Sequence, residues 1–459
     1  MNLERTVAAV STPFGKGGIA VIRISGKNAY DITSKVFSPK SGKNLSDYKS
    51  GFAVYGSFSD EEGLFDDGLV TFFKAPHSFT GEDTAELSCH GGILVTNRLL
   101  KACLSAGAEY ASPGEFTKRA FINGKISLSQ AEAVGGIIDA VTDKHLTVSA
   151  NQSRGSLSNK IDKIADSLIS IAASVYAYID YPDEDMTDVS VEEMKTILID
   201  IKNEIKKLMT TFKYGKAISE GVKTVIVGRP NMGKSSIMNF LAGFDRALVS
   251  DIAGTTRDVV TEKIRFGDIV LNVADTAGLH EADDVIEKMG IEKSLEYMKS
   301  AELVLIVADA TEGLQNDDLK VIERVKEYGK EECSVLILNK TDKGDVSNNI
   351  PDLLNRTCYF SAVSPKEEQI TEFKKSISEI CGENEASENT EIIVNARQFS
   401  SLNKAFSAVE NAISSLDSFT QDVAGFDIEE AIAALRELEG RKVSEAIVNE
   451  IFSKFCVGK

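Results

Sequence analysis

Residues 228–235 read Gly-Arg-Pro-Asn-Met-Gly-Lys-Ser, a match to G-x-x-x-x-G-K-[ST]. The apolar run Val222 to Val227 before it predicts a strand, and Ser236 to Leu241 after it predict a helix. Glycines at such a junction let backbone N–H groups wrap a phosphate, and the helix N-terminus adds a favourable field. Lys234 supplies a point charge to β- and γ-phosphates, and the Ser235 hydroxyl a ligand for Mg²⁺. Working outward, apolar runs recur at Val270 to Val273, Leu303 to Val307, Val335 to Leu338 and Cys358 to Phe360, with helical stretches between them. That alternation predicts an α/β domain with a mostly parallel sheet over 219–382.

Three further elements follow in order. Asp275-Thr276-Ala277-Gly278 closes an apolar strand; such an Asp reaches Mg²⁺ through water, and the Gly278 N–H senses a γ-phosphate. Asn339-Lys340-Thr341-Asp342 closes another, and the Asp342 carboxylate suits the N1–H and N2–H₂ donors of guanine. Adenine lacks both donors, and a buried carboxylate left unpaired discriminates by ~10⁴–10⁵. The nucleotide is therefore expected to be GTP, with Ser361-Ala362 closing over the base. Leu279 stands where Ras-type GTPases place a water-orienting Gln, so hydrolysis needs another device. Gly254-Thr255-Thr256-Arg257-Asp258 occupies the switch I position, which makes Thr256 a second Mg²⁺ ligand. Asn231 either holds a monovalent cation together with switch I carbonyls or simply forms the turn.

Outside this domain the pattern changes. Residues 1–121 read as α+β: Ile19 to Ile24, Leu69 to Phe73 and Thr84 to Leu87 are strand candidates among Gly-rich turns. Ser112-Pro113-Gly114-Glu115 predicts a capping box opening a helix, and Ser129 with Glu132 a second. Residues 122–218 and 383–459 read as helical, with stripes such as Leu198, Ile201, Ile205, Leu208 and Leu402, Phe406, Val409, Ile413, Leu416. The two blocks predict one discontinuous all-helical domain with the α/β domain inserted, each block completing the other's core. Gly382 to Glu391 reads as an acidic linker.

Composition bounds the reading. The 459 residues are 42% apolar, enough for several cores and against global disorder. The longest apolar runs, such as Leu303 to Ala308, fall short of the ~18 residues a membrane span needs. The first residues carry Glu4 ahead of a short apolar stretch, Val7 to Val10, which does not read as a secretory signal. Six scattered cysteines without C-x-x-C predict a reducing, cytoplasmic setting rather than a disulfide or zinc framework. A net charge of −19 argues against a surface that coats itself with nucleic acid.

These motifs resemble the MnmE (TrmE) family of tRNA-modification GTPases. The resemblance rests on Gly228 to Ser236, on Val249-Ser250-Asp251-Ile252-Ala253-Gly254-Thr255-Thr256-Arg257-Asp258, and on Asp275 to Leu279. It extends to Thr12 to Gly26, Ser78 to Asp83, Ala120 to Lys125 and the closing Phe455-Cys456-Val457-Gly458-Lys459, so it spans essentially the whole chain. His280 and Val457 depart from the commoner family residues.

The resemblance implies an N-terminal domain that binds a tetrahydrofolate one-carbon derivative (5-formyl or 5,10-methylene) and dimerises the protein. It implies K⁺-activated GTP hydrolysis driving conformational change. With an FAD-dependent partner, MnmG (GidA), the family forms a 5-aminomethyl or 5-carboxymethylaminomethyl group on the wobble uridine of certain tRNAs. The implied GTP site is Asn231, Met232, Gly233, Lys234, Ser235, Ser236, residues Ser250, Asp251, Ile252, Ala253, Gly254, Thr255 and Thr256, then Asp275, Thr276, Ala277, Gly278, Asn339, Lys340, Asp342, Ser361 and Ala362. K⁺ would take Asn231, Ser250, Ile252 and Thr255; Mg²⁺ would take Ser235 and Thr256; the catalytic residues would include Glu287, which orients water, and Lys234. Folate would take Arg23, Glu82, Lys125 and Lys459, whose charges suit a glutamate tail and an amino-pyrimidine edge. Cys456 is either a catalytic thiol or a buried structural one beside Phe452 and Phe455. The acidic balance leaves the tRNA grip largely to the partner, and no membrane contact is expected. The competing reading, a regulatory RNA-binding GTPase of ribosome assembly, calls for a basic RNA module that the sequence does not display.

Overall fold

The computed structural model describes residues 4–180, 190–244, 261–274, 297–344, 353–386, 391–418, 421–441 and 443–459. They form two units. One comprises Met1–Gly135, Ser153–Ser158 and Glu439–Lys459, the other Gly136–Gln152 and Asn159–Leu438.

The first unit is built on a seven-stranded, mainly antiparallel sheet. Its strands are β1 (Val7–Val10), β2 (Ile19–Ser25), β3 (Phe37–Pro39), β4 (Ala53–Asp60), β5 (Gly63–Phe73), β6 (Thr84–His90) and β7 (Glu109–Tyr110), in the spatial order β3-β4-β5-β6-β2-β1-β7. In β2 the alternation Ala20, Ile22, Ile24 buries one face against helices α1 (Ala29–Val36) and α2 (Ile93–Ser105), the pattern expected of a sheet covered on one side. The opposite face of the β2–β6 pair carries Arg23 directly across from Glu86.

Two helix starts differ from expectation. Helix α3 spans Glu115–Ile122 and opens after Gly114 in a left-handed turn (φ 65°), not at Ser112. Only half of the anticipated box forms, the Ser112 N–H donating to the Glu115 carboxylate at 2.7 Å. The rest is displaced because the chain's last residues satisfy the helix's donors: Gly114 N–H donates to Cys456 O at 3.2 Å and Phe116 N–H to Lys459 O at 3.0 Å. Helix α4 (Leu128–Asp139) is capped by Ser127 and Gln130, whose side chains each accept the other's N–H, rather than by Ser129 and Glu132. The Ser129 hydroxyl instead donates to buried Glu439 at 3.0 Å. Residues Leu128, Ala131, Val448 and Phe452 form a small core joining α4 to the helix Glu445–Ser453.

The second unit holds the parallel sheet. Its strands are β8 (Val222–Val227), β9 (Thr261–Phe266), β10 (Ile269–Ala274), β11 (Leu303–Asp309), β12 (Ser334–Asn339) and β13 (Thr357–Tyr359), in the order β13-β12-β11-β8-β10-β9. Only the edge strand β9 runs antiparallel, as half of a hairpin with β10. Strands β11 and β12 are buried at every position and carry cores on both faces, which is why they read as continuous apolar runs. Helices α5 (Asp143–Ser153), α6 (Ser156–Asp180), α7 (Val191–Thr210) and α8 (Phe212–Ser219) precede the sheet. After it come the helices Ala396–Ser418 and Gln421–Leu438. The apolar stripes meet as expected, α7 packing on Ala396–Ser418 and that helix on Gln421–Leu438. Phe212 stacks on Phe399 with ring centroids 4.5 Å apart, and Ile393 N–H donates to the Thr211 hydroxyl at 2.9 Å. The stretch expected as a linker instead begins with a short helix, Glu383–Ala386, because Ala386 is drawn into the sheet's core. Among the described residues no helix is long and apolar enough to cross a membrane.

Candidate functional site

The loop after β8 is shaped by close approach. A Cβ on Gly228 would lie 2.2 Å from Val307 O of β11, and one on Gly233 (φ 96°) 2.2 Å from the Asn339 side-chain nitrogen. Only glycine fits at either place. Asn231 sits between them at φ 64°, a left-handed conformation that Asn tolerates better than most residues, so its turn-forming role is real. Its side chain is exposed. Met232 is buried in the sheet's core and presents its carbonyl to Asn339 Nδ2 at 3.0 Å. Lys234 opens helix α9 (Lys234–Phe244), with Ser235 exposed and Ser236 half-buried behind it. Lys234 Nζ donates to Gly228 O and Arg229 O, each at 2.8 Å. The ammonium is thus held over the loop by two of the loop's own carbonyls.

The base-side elements converge on the same loop. Buried Asn339 donates to Met232 and accepts from the Ala362 N–H at 3.0 Å, so one amide ties the phosphate loop to the loop expected over the base. Lys340 takes φ 66° and pairs with Asp309 at 2.7 Å. Burial alone would raise the Asp309 acid, but hydrogen bonds from Lys340 and Thr311 bring it down to about 2. The Ser361 hydroxyl donates to Asp342 at 2.6 Å and holds that carboxyl below its usual range, so it is ionised and ready to accept. One correction follows: Asp342 is exposed, not buried. Its full discriminating penalty therefore arises only when a base covers it.

Ser250, Asp251, Ile252, Ala253, Gly254, Thr255, Thr256, Asp275, Thr276, Ala277, Gly278 and Glu287 lie outside the described residues.

The second cluster lies in the first unit. Arg23 donates twice to Glu86 (3.0 and 2.8 Å), and its guanidinium stands 5.5 Å from the Phe116 ring centroid and 6.0 Å from that of Phe79. Glu82 accepts from the Ser25 hydroxyl and from Arg119, both at 2.8 Å. Lys125 Nζ donates to Pro76 O at 3.0 Å, and its stem lies against Gly81. Lys459 reaches the same place through its main chain, accepting from Phe116. The four expected folate residues are therefore brought around α3 and the 76–82 loop. Cys456 is exposed, which removes its reading as a buried structural thiol. Cys89, Cys103, Cys358 and Cys381 are buried core thiols; desolvation pushes Cys103 and Cys381 up to about 12.

Three residues that sequence reasoning did not select hold this cluster together. Arg119 is 1% exposed and bridges Glu82 and Glu115, and Arg5 grips the same Glu115 at 3.0 Å. Burial works to raise Glu115, but bonds from the Ser112 N–H and Arg119, with the charge of Arg5, leave it lowered. The Glu115–Arg119 spacing of four was a readable helix pair. The Arg23–Glu86 pair was not, because it depends on strand register.

Comparison with known proteins bears on both clusters. Residues 6–125 match the model of the "GTP-binding protein TrmE N-terminus" and residues 128–456 that of the "MnmE helical domain". The chain is 38% identical over 463 residues to the tRNA modification GTPase MnmE of Clostridioides difficile strain 630, covering all of both chains. It is 38% identical over 466 residues to that of Acetivibrio thermocellus, again over the full length of both. With a phosphate loop between β8 and α9, both family models matched and these full-length relatives, the chain belongs to the MnmE (TrmE) family of tRNA modification GTPases.

Proposed function

We propose that this GTPase forms the 5-aminomethyl or 5-carboxymethylaminomethyl group on the wobble uridine of certain tRNAs. It works as a homodimer with an FAD-carrying MnmG-type partner that supplies most of the tRNA grip, and it takes its one-carbon unit from a 5-formyl or 5,10-methylene tetrahydrofolate. The proposed division is 1–121 for folate and dimerisation, 122–218 with 383–459 for the helical domain, and 219–382 for the G domain.

In the G domain, Lys234 leaves the carbonyls of Gly228 and Arg229 for the phosphates. Asp342 accepts from guanine N1–H and N2–H₂, with Ser361 and Ala362 over the ring. The Ser235 hydroxyl, exposed at the first turn of α9, is a donor of the right hardness for Mg²⁺, with Thr256 as its companion. Among the described residues no cluster of three or more His, Cys, Asp or Glu offers an alternative metal site. Asn231 with Ser250, Ile252 and Thr255 holds K⁺, which supplies positive charge beside the phosphates. Glu287 orients the water that splits GTP into GDP and phosphate. In the N-terminal domain Arg23, Glu82, Lys125 and Lys459 hold the folate, and Cys456 is its neighbouring thiol.

One observation carries the reading: the tail that bears Cys456 and Lys459 is bonded to the start of α3, and Arg23 lies on the Phe116 ring of that same helix. The test is deletion of the gene, followed by mass spectrometry of wobble nucleosides in total tRNA and rescue with wild type or Cys456→Ser. Loss of the C5-aminomethyl-type uridines with recovery by wild type is expected. Unchanged nucleosides in a host without a second copy would refute it.

A further inference from the structure

The loop that follows β11 carries none of the nucleotide motifs, yet both ends of the GTP site are tied to it. At the phosphate end, the Arg229 guanidinium leaves the loop and donates to Asp318 at 2.9 Å and Glu312 at 3.2 Å. The Asp318 side chain is 1% exposed, so this is not a solvated surface pair of negligible weight. At the base end, Lys340 binds Asp309, and the Ala310 N–H donates to Asn339 O at 2.8 Å. The loop between these anchors is internally braced. Asp309 accepts from the Thr311 N–H and hydroxyl, the Gln315 side chain donates to Glu312 O, and the Gln315 N–H donates to Asp318.

We propose that the segment 309–318 is a strut that positions both halves of the GTP site, with Asp309 and Asp318 as positioning residues for GTP binding and hydrolysis. The inference rests on the GTP-site assignments proposed above. Arg229 is well suited to this role, because a planar guanidinium held by two carboxylates fixes orientation as well as place. Its own carbonyl is one of the two that hold Lys234 before nucleotide arrives, so pinning Arg229 fixes the loop from which that ammonium turns to the phosphates. Asp309 acts at the other end, holding a lysine whose backbone is already in the left-handed region.

The two ends predict different kinetics. Contacts to the base are the same in ground and transition states, so Asp309→Asn, which preserves shape, raises KM for GTP and Kd for GDP together. The expected change is about tenfold, the worth of a charged hydrogen bond, with kcat moved less than about twofold. Arg229→Ala loosens the loop that faces the γ-phosphate and lowers kcat by about tenfold as well. Arg229→Lys keeps the charge, loses the fork and recovers only part of that loss. Because one strut serves both ends, the double variant weakens kcat/KM by less than the product of the single effects.

The experiment is steady-state hydrolysis of GTP by the full-length chain, with equilibrium binding of fluorescent GDP. Wild-type KM and kcat in both Asp309→Asn and Arg229→Lys would overturn the strut, as would strictly multiplicative effects in the double variant. If the wild-type chain itself failed to bind GTP, the GTP-site assignments would fall, and the strut with them.

Discussion

Gly458→Ala is the sharpest perturbation of the tail. Gly458 is buried at φ 96°, and a Cβ there would lie 2.1 Å from Val10 O and 3.0 Å from Ser11 Cα, both backbone atoms at the end of β1 that have little room to yield. The left-handed conformation alone costs a non-glycine residue roughly 1–3 kcal/mol. Against this stand three hydrogen bonds that dock the tail: Gly114 N–H to Cys456 O, Phe116 N–H to Lys459 O, and the Ser11 hydroxyl to Gly458 O at 3.0 Å. At about 1 kcal/mol net each, docking is worth about 3 kcal/mol, which leaves the tail free roughly 1% of the time. The substitution cancels most of that, so the free fraction rises to the order of one half. The reporter is the Phe116 amide, which the tail protects from hydrogen exchange. Its protection should fall by a factor of ~10–100 in Gly458→Ala, while amides of β2 and β6 keep theirs. Unchanged exchange over residues 114–117 in a folded variant would refute the claim that the tail caps α3.

Four more outcomes are expected. Asp342→Asn moves nucleotide preference from GTP to xanthosine triphosphate, with GTP affinity falling at least ~100-fold; unchanged GTP binding would sink the base-reading argument. Asn231→Gly keeps the left-handed turn without strain, so it isolates the side chain; it should erase any advantage of K⁺ over Na⁺ in turnover, and a retained advantage would remove Asn231 as a ligand. Arg119→Leu removes the cation shared by Glu82 and Glu115, leaving Glu115 to Arg5 and the Ser112 N–H and Glu82 to the Ser25 hydroxyl, and should destabilise the first unit by about 1–3 kcal/mol in urea unfolding; a loss under ~0.5 kcal/mol would contradict its bridging role. Asp309 ionises at about 2 when folded, below its ordinary value, so its stabilising contribution is present above about pH 4 and is lost as pH falls towards 2. Urea midpoints measured across that range should show a shallower acid limb in Asp309→Asn than in wild type.

The parallel sheet was legible because its central strands are covered on both faces: β11 and β12 stand out as unbroken apolar runs in any surroundings. The phosphate loop was legible because its demands are local, two glycines and a lysine at set spacing between a strand and a helix. The N-terminal sheet was only partly so. The strand β4 and helices α1 and α2 went unread, since half-buried elements with mixed faces carry weak periodicity. Helix starts at Glu115 and Leu128 were misjudged by a few residues for different reasons: at α3 the distant tail carbonyls took over the first donors, whereas at α4 the neighbouring Ser127 and Gln130 form the box and Ser129 turns to Glu439.

The sequence by itself determined which nucleotide chemistry this chain is built for, because each motif residue is dictated by a ligand atom and not by the rest of the protein. It also determined the family, through motifs spread over the whole chain. Only the tertiary structure decided that Cys456 is exposed, that Arg23 faces Glu86, that Arg119 is the buried bridge of its cluster, and that Asp309 pairs with Lys340 and Asp318 with Arg229. Apart from the exposure of Cys456, these are pairings across tens of residues, from Asp309–Lys340 to Arg229–Asp318. Burial and partner choice at such distances depend on strand register and on which surfaces pack together, and neither leaves a local trace in the order of amino acids.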